Sequence, residues 1–309
     1  MTAATISVRN VSRVFKLGNE EIPALRGVSL EVAPREFLAL VGRSGSGKTT
    51  LMNLIAGLDK PTTGEIYLDD ERLDQMSEKA LTKLRRGSFG FVFQSFGLLP
   101  LLSAQENVEL PMRIAGYGHG ERVRRAKASL DAVGLNRRSH HRPYELSGGE
   151  QQRVAIARAI ATEPRLILAD EPTGELDSTT AKAVFTLLRT LAREHSFTVV
   201  TCTHDRLVME MADRVEELVD GQIVAAEDSV VWKRIQGQVR SPFEAAFVGA
   251  HHGGDEGEGG GLSSLVGADS TIFVRHPKLD RQGTLASGEA ADAEAEPALW
   301  ARPGSTKDP

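Results

Sequence analysis

Hydrophobic and polar positions change period along the chain, and each change predicts an element. Residues 5–11, 28–32 and 37–41 are short runs rich in β-branched and aromatic side chains, which reads as three strands. After the third run Leu51, Met52, Leu54, Ile55 and Leu58 recur at helical spacing, and Gly57 with Pro61 supplies a stop. Residues 66–73 enclose Asp69-Asp70 and predict a hairpin, while residues 89–93 alternate aromatic with small side chains as a strand does. From 95 to about 148 the pattern is helical, notably over 121–133, with Pro100, Pro111 and Pro143 read as punctuation between segments. This predicts an inserted helical subdomain. Apolar β runs return at 166–169 and 198–203, and between them Ala181, Val184, Phe185, Leu188 and Leu191 line one helix face. Strand, helix, strand is the order of a parallel sheet with crossover helices. Residues 215–219, Asp220-Gly221 and 222–224 predict a closing hairpin.

Beyond 249 these periods are lost. Residues 253–261 are glycine-rich and acidic, and residues 289–297 alternate Ala with Asp or Glu. Residues 249–309 hold ten acidic and five basic side chains, so they carry the whole formal charge of −5. Such a composition buries too little apolar surface to offset its ordering entropy, and a disordered tail is expected there, with residues 271–274 as one sticky element. Residues 1–248 form the expected globular domain, neutral overall, and nothing in its charge suggests a nucleic-acid footprint. No run of about 18 apolar residues predicts a membrane-spanning helix. The first residues lack the charged and apolar regions of a signal peptide. The lone Cys202 excludes an internal disulfide and fits a reducing compartment. A cytoplasmic protein is expected.

The candidate chemistry sits between the periodic segments. Residues 42–49 read Gly42-Arg43-Ser44-Gly45-Ser46-Gly47-Lys48-Thr49, a phosphate-binding loop in full. Glycines let the backbone curl so that its N–H groups face a phosphate, and the helix that follows adds the positive end of its dipole. Lys48 would reach the β- and γ-phosphates, Thr49 would ligate Mg²⁺ and Thr50 would touch the α-phosphate. Asp170 and Glu171 end an apolar strand. Asp170 would hold Mg²⁺ through water, and Glu171 would polarise the attacking water as general base. Gln94 follows the strand at 89–93, where it can reach the metal and the water. His204 follows the strand at 198–203, on the ligand side of a parallel sheet. A lone Gln is otherwise a surface residue and a lone His a structural one. Cys202 alternates with His204 and reads as core. His140-His141 and His251-His252 have no cysteine or carboxylate set at zinc spacing beside them and do not read as metal sites.

With these residues in place, residues 146–151, Leu-Ser-Gly-Gly-Glu-Gln, match a specific signature. Over about residues 5–225 the chain resembles the nucleotide-binding subunits of ABC transporters. The resemblance implies an α/β fold: a P-loop NTPase of the ABC type with an N-terminal antiparallel β subdomain and an inserted α-helical subdomain. It implies that Ser147, Gly148 and Gly149, with Glu150 and Gln151, start a helix aimed at the γ-phosphate held by the opposite subunit. Gln94 then matches the Q-loop, His204 the H-loop, and Asp177 a D-loop residue that organises the dimer interface. Phe15 sits where an aromatic stacks on adenine, or else is a strand core residue. Glu175 departs from the family, which more often has a small or neutral residue there.

The resemblance further implies ATP and Mg²⁺ as ligands and a homodimer sandwiching two ATP molecules. It implies an integral-membrane permease on a separate chain, engaged through the 94–111 region, and a peripheral position on the inner face of the cell membrane. The body is most similar to the macrolide-exporter and lipoprotein-releasing group, which implies extrusion or extraction of a hydrophobic substrate or lipoprotein. Three alternatives stand against this. Soluble ABC ATPases of translation or repair usually carry two cassettes, a coiled coil or zinc cysteines, which this sequence lacks. A cell-division-type regulator would signal through a partner without transport. A non-enzymatic module conflicts with the intact set Lys48, Asp170, Glu171 and His204.

Overall fold

The computed structural model of the chain describes residues 3–204, 206–225 and 229. The tail expected at 249–309, with its element at 271–274 and the pair His251-His252, lies outside the described residues. Everything described below lies within Met1–Glu256.

Two sheets carry the fold. β1 (Ile6–Leu17), β2 (Glu20–Val32), β4 (Thr63–Leu68) and β5 (Glu71–Arg72) form an antiparallel sheet in the order β2-β1-β4-β5. β3 (Phe37–Val41), β6 (Phe89–Val92), β7 (Leu166–Asp170), β8 (Thr198–Cys202), β9 (Arg214–Val219) and β10 (Gln222–Val224) form the second, in the order β10-β9-β3-β8-β7-β6. All its pairs are parallel except the β9–β10 hairpin. The predicted hairpins at 66–73 and 215–224 both form, as β4–β5 and β9–β10.

Strand pleat divides the core in two, because successive side chains leave opposite faces of a sheet. Leu38, Leu40, Leu166, Leu168, Val200 and Cys202 join the apolar side chains of α1 (Lys48–Ile55) and of the antiparallel sheet. Phe37, Ile167, Ala169 and Val199 point the other way, into a core shared with the helices. Those helices are α3 (Ala104–Ile114), α4 (His119–Ala132), α5 (Gly148–Ile160) and α6 (Ser178–His195). Val108, Met112, Ala126 and Leu130 of the helical segment thus belong to the same core as Val92 and Ile167. The segment is welded to the sheet rather than appended to it.

Two helices have no apolar stripe to announce them. α2 (Glu78–Ser88) is capped by Ser77, which accepts from Ala80 N, and buries only Leu81. α7 (Arg206–Met211) is a single short stretch after β8. Pro111 is not punctuation: it lies inside α3, and the ladder resumes beyond it, with Ala115 N donating to Pro111 O at 2.9 Å. α3 tolerates it because its start is fixed by a capping box between Ser103 and Glu106. Asn107 adds side-chain bonds to the Leu99, Leu102 and Ser103 carbonyls.

Candidate functional site

Parallel pairing aligns the C-terminal ends of four strands. Leu40 and Asp170 both pair with Cys202, and Val92 pairs with Ala169. The phosphate loop after β3, Gln94 after β6, Asp170 and Glu171 at the end of β7 and His204 after β8 therefore emerge along one edge. This is the edge where open α/β sheets hold ligands.

The loop's glycines are required by close approach. A Cβ on Gly42 would stand 2.2 Å from Leu218 O and 2.7 Å from Ser46 Oγ, and one on Gly47 would stand 2.6 Å from Ala24 O. Gly47, at φ +105°, caps α1 without any side-chain hydrogen bond. The first N–H groups of α1 thus have no side-chain partner in the cap. Lys48 is buried, and its Nζ donates to Gly42 O at 2.8 Å and Arg43 O at 3.0 Å. The loop's own carbonyls hold the ammonium across its mouth. Among the described residues, Ser46 Oγ is buried without a hydrogen-bond partner. Arg43, Ser44 and Gly45 are exposed, and Thr50 is half-buried in α1.

Thr49 Oγ1 lies 3.3 Å from Asp170 Oδ2. Burial, with the neighbouring Glu171 charge adding, pushes the Asp170 carboxyl above its ordinary range, while the bond from Thr49 opposes the shift. A hydroxyl beside a half-buried carboxylate is a fitting donor set for a hard divalent cation. Glu171 follows at φ +45°, a conformation most side chains avoid, with its N–H on Cys202 O at 3.0 Å. Its Oε1 lies 3.5 Å from Nδ1 of the exposed His204. Gln94 is exposed, and its side chain runs along Gly174, where a Cβ would meet Nε2 at 3.0 Å. No bond joins it to Asp170 or Thr49 among the described residues. Cys202 is fully buried, and burial pushes its thiol pKa up, so it is core and no nucleophile.

Ser147, Gly148 and Gly149 open α5 as the sequence predicts, yet the Ser147 hydroxyl is already engaged. It accepts from Glu150 N at 3.3 Å, and Glu150 Oε2 accepts from Ser147 N at 2.9 Å, a complete capping box. These bonds hold the Glu150 carboxyl below its ordinary range. Gly149 is forced by packing: a Cβ there would stand 2.4 Å from Thr180 Cγ2 in α6. Gln151 Nε2 donates to Leu146 O at 3.1 Å. Asp177 caps α6, accepting from Thr179 N and Thr180 N at 3.1 Å each, which depresses its pKa. Glu175 is exposed.

Phe15 is not a core residue. It stands 39% exposed on β1, with the Arg13 guanidinium 4.5 Å over its ring. Arg13 also pairs with Asp59 at 2.8 Å. Sequence reasoning missed Arg13, although its period-2 spacing from Phe15 places both on one face of a strand. His140 and His141 join no group of metal-binding side chains among the described residues.

Comparison with known proteins settles the family. A family model described as ABC transporter matches residues 25–174. The ABC transporter ATP-binding protein MJ0796 of Methanocaldococcus jannaschii is 47% identical over 226 residues, 72% of this chain and 96% of that protein. The chain belongs to the ATP-binding family of ABC transporters. A macrolide export ATP-binding/permease protein of Wolinella succinogenes is 47% identical over 243 residues. The ABC chain spans 37% of that relative's length. A dimeric structure of the MJ0796 cassette in a post-hydrolysis state, bound to ADP and Pi, matches with a TM-score of 0.66. The match is at 45% identity over 71% of this chain and 97% of that one. A second dimeric structure of that cassette matches with the same TM-score at 46% identity. This ABC subunit is an ATPase with the α/β fold of such cassettes, and its antiparallel and helical parts are those expected. No described helix is long and apolar enough to cross a membrane.

Proposed function

We propose that two copies of the chain sandwich two ATP molecules and drive a permease carried on a separate polypeptide, extruding a hydrophobic substrate or extracting a lipoprotein. The observation that carries this reading is the convergence of buried Lys48, the Thr49–Asp170 pair and the Glu171–His204 pair on one strand edge. On arrival of ATP, Lys48 exchanges the Gly42 and Arg43 carbonyls for phosphate oxygens. Loop N–H groups and the start of α1 take the rest of the phosphate charge. Mg²⁺, held by Thr49, Asp170 and Gln94, would neutralise charge between the phosphates. Glu171 draws a proton from the attacking water, and His204, beside it, bonds the γ-phosphate. Phe15, with Arg13 on its other face, offers an exposed platform for adenine. In the closed dimer Ser147, Gly148 and Gly149 face the other copy's nucleotide, and Asp177 lies at the seam.

The permease reading rests on the relatives named macrolide export ATP-binding/permease proteins, of which this chain spans about a third. A groove of about 360 Å³ suits the contact, walled by Leu58, Phe91, Phe93, Pro111 and Ile114 with no carboxylate in its lining. It adjoins the 94–111 region. Binding there would hold the ATPase on the inner face of the membrane.

Replacing Glu171 with Gln should abolish turnover while ATP accumulates a dimer detectable by sedimentation. A variant that hydrolyses ATP at the parental rate sinks the base assignment.

A further inference from the structure

Ser147 has one hydroxyl proton, and on the two-copy reading the other copy's γ-phosphate calls for it. In the single chain that proton is already committed. Ser147 Oγ donates to Glu150 Oε2 at 3.1 Å, and the same carboxylate oxygen accepts from Ser147 N at 2.9 Å. A carboxylate thus takes up donors that a phosphate oxygen would use at the start of α5. The bond from Ser147 N holds this carboxyl below its ordinary range, and the Arg138 and Arg153 guanidiniums add to the effect, so it is charged. It opposes an arriving phosphate twice, by holding the proton and by like charge. Capping itself does not conflict with the phosphate. The hydroxyl can go on accepting from Glu150 N, at 3.3 Å, while it gives its proton elsewhere.

The other oxygen of Glu150 faces a cation. Oε1 lies 3.7 Å from Nε of Arg138, whose side chain is 50% exposed. Arg138 ends the short turn Asn136–Arg138, ahead of the signature. Its backbone is fixed: Arg138 N donates to Leu135 O at 2.9 Å, and His141 N donates to Arg138 O at 3.0 Å. Ala104 N and Gln105 N, at the start of α3, donate to His141 O and Ser139 O, which ties the turn to the helical core. Nη1 of Arg138 lies 2.9 Å from His141 Nε2. Glu150 therefore stands between Ser147, which it bonds, and a fixed cation that it does not yet bond. A glutamate side chain can rotate toward that cation without moving α5.

We infer that Glu150 is a built-in competitor for the Ser147 hydroxyl, and that Arg138 is the positioning residue that draws its carboxylate aside as two copies close on ATP. The inference rests on the two-copy reading above and adds what sets the threshold of closure. Capping and competition predict opposite signs. If Glu150 only caps α5, removing its charge weakens the helix and closure together. If it competes, removing its charge tightens closure while stability holds or falls.

The test uses the full chain in the Glu171→Gln background, with Glu150→Gln and Arg138→Gln added singly and together. Glutamine keeps the shape and the capping-box pattern at 150 without the charge. Sedimentation gives the ATP concentration at half-maximal dimerisation, and melting temperature and monomer ATP affinity are measured beside it. Glu150→Gln should lower that midpoint about tenfold, the scale of one hydrogen bond to a charged group. Its melting temperature should stay level or fall. Arg138→Gln should raise the midpoint about threefold, the scale of a partly exposed ion pair. In the double variant the Arg138→Gln effect should vanish, because no charge remains to be drawn aside. Monomer ATP affinity should stay at the Glu171→Gln value throughout.

A midpoint that is unchanged or raised in Glu150→Gln overturns the inference and leaves the two-copy reading standing. An Arg138→Gln effect of equal size with and without the Glu150 charge overturns the role of Arg138, which would then act on the nucleotide or the fold directly. Loss of monomer ATP affinity overturns the inference too, because the pair would then serve its own chain's site. Failure of Glu171→Gln itself to dimerise on ATP overturns both readings together.

Discussion

Asp170 sets ligand binding against stability. Its carboxyl is held above the ordinary range by burial, so the folded chain without ligand binds a proton there more readily than the unfolded chain does. Ionisation is then unfavourable to the fold. The penalty is absent below the unfolded pKa of about 3.9 and fully present once pH exceeds the raised folded pKa. Asp170→Asn should therefore raise the melting temperature of the ligand-free chain at pH 7, and the gain should vanish toward pH 3. Thermal scans across that range check it. Mg-ATP should stabilise the parent more than this variant.

Residues in this site differ in how far the sequence exposed them. The loop glycines, Lys48, Thr49, Asp170 and Glu171 were readable because phosphate binding demands particular residue types at fixed spacing, between a strand and a helix. Arg13 was not: an arginine beside an aromatic in a strand has many uses. The occupied Ser147 hydroxyl was half-readable. Ser with Glu three residues on is a capping-box pattern, and the structure forms it.

α5 joins two functions in its first turn. Ser147→Ala removes one capping bond and should lower stability by about 1 kcal/mol. On the two-copy reading it should also cut hydrolysis while monomer ATP affinity is kept; equilibrium binding beside turnover separates the two. Gly149→Ala meets a stiffer obstacle, a threonine methyl at 2.4 Å on a packed helix. Overpacking of this kind costs about 1–3 kcal/mol. Thr180→Ser deletes that methyl, so Gly149→Ala with Thr180→Ser should regain most of the loss in chemical denaturation. Among elements, those with a sustained apolar face were legible: β3, β7, β8 and α6 all fall where their periods predict. α2 and α7 were not, because tertiary packing at a single buried leucine, or a short connection after a strand, leaves no period to read. Pro111 misled because a proline penalises a helix interior without forbidding it.

At the scale of the molecule, one apolar core runs from the sheet face through α3, α4, α5 and α6. Every candidate site residue falls between Phe15 and His204. Removing residues 250–309 should accordingly leave ATP turnover near the parental rate, as a steady-state assay would show.

The final hairpin has a use that the motifs do not suggest. Gly221 N–H holds Ser46 O at 3.0 Å, Gly221 O accepts from Arg26 N at 2.8 Å, and Leu218 O presses on Gly42. The rear wall of the phosphate loop is therefore supplied by the last strands of the domain, more than 170 residues downstream. The Gly221 amide is coupled to the loop from behind, out of the ligand's reach. Its NMR resonance is a natural reporter of nucleotide arrival, readable without a label anywhere in the site.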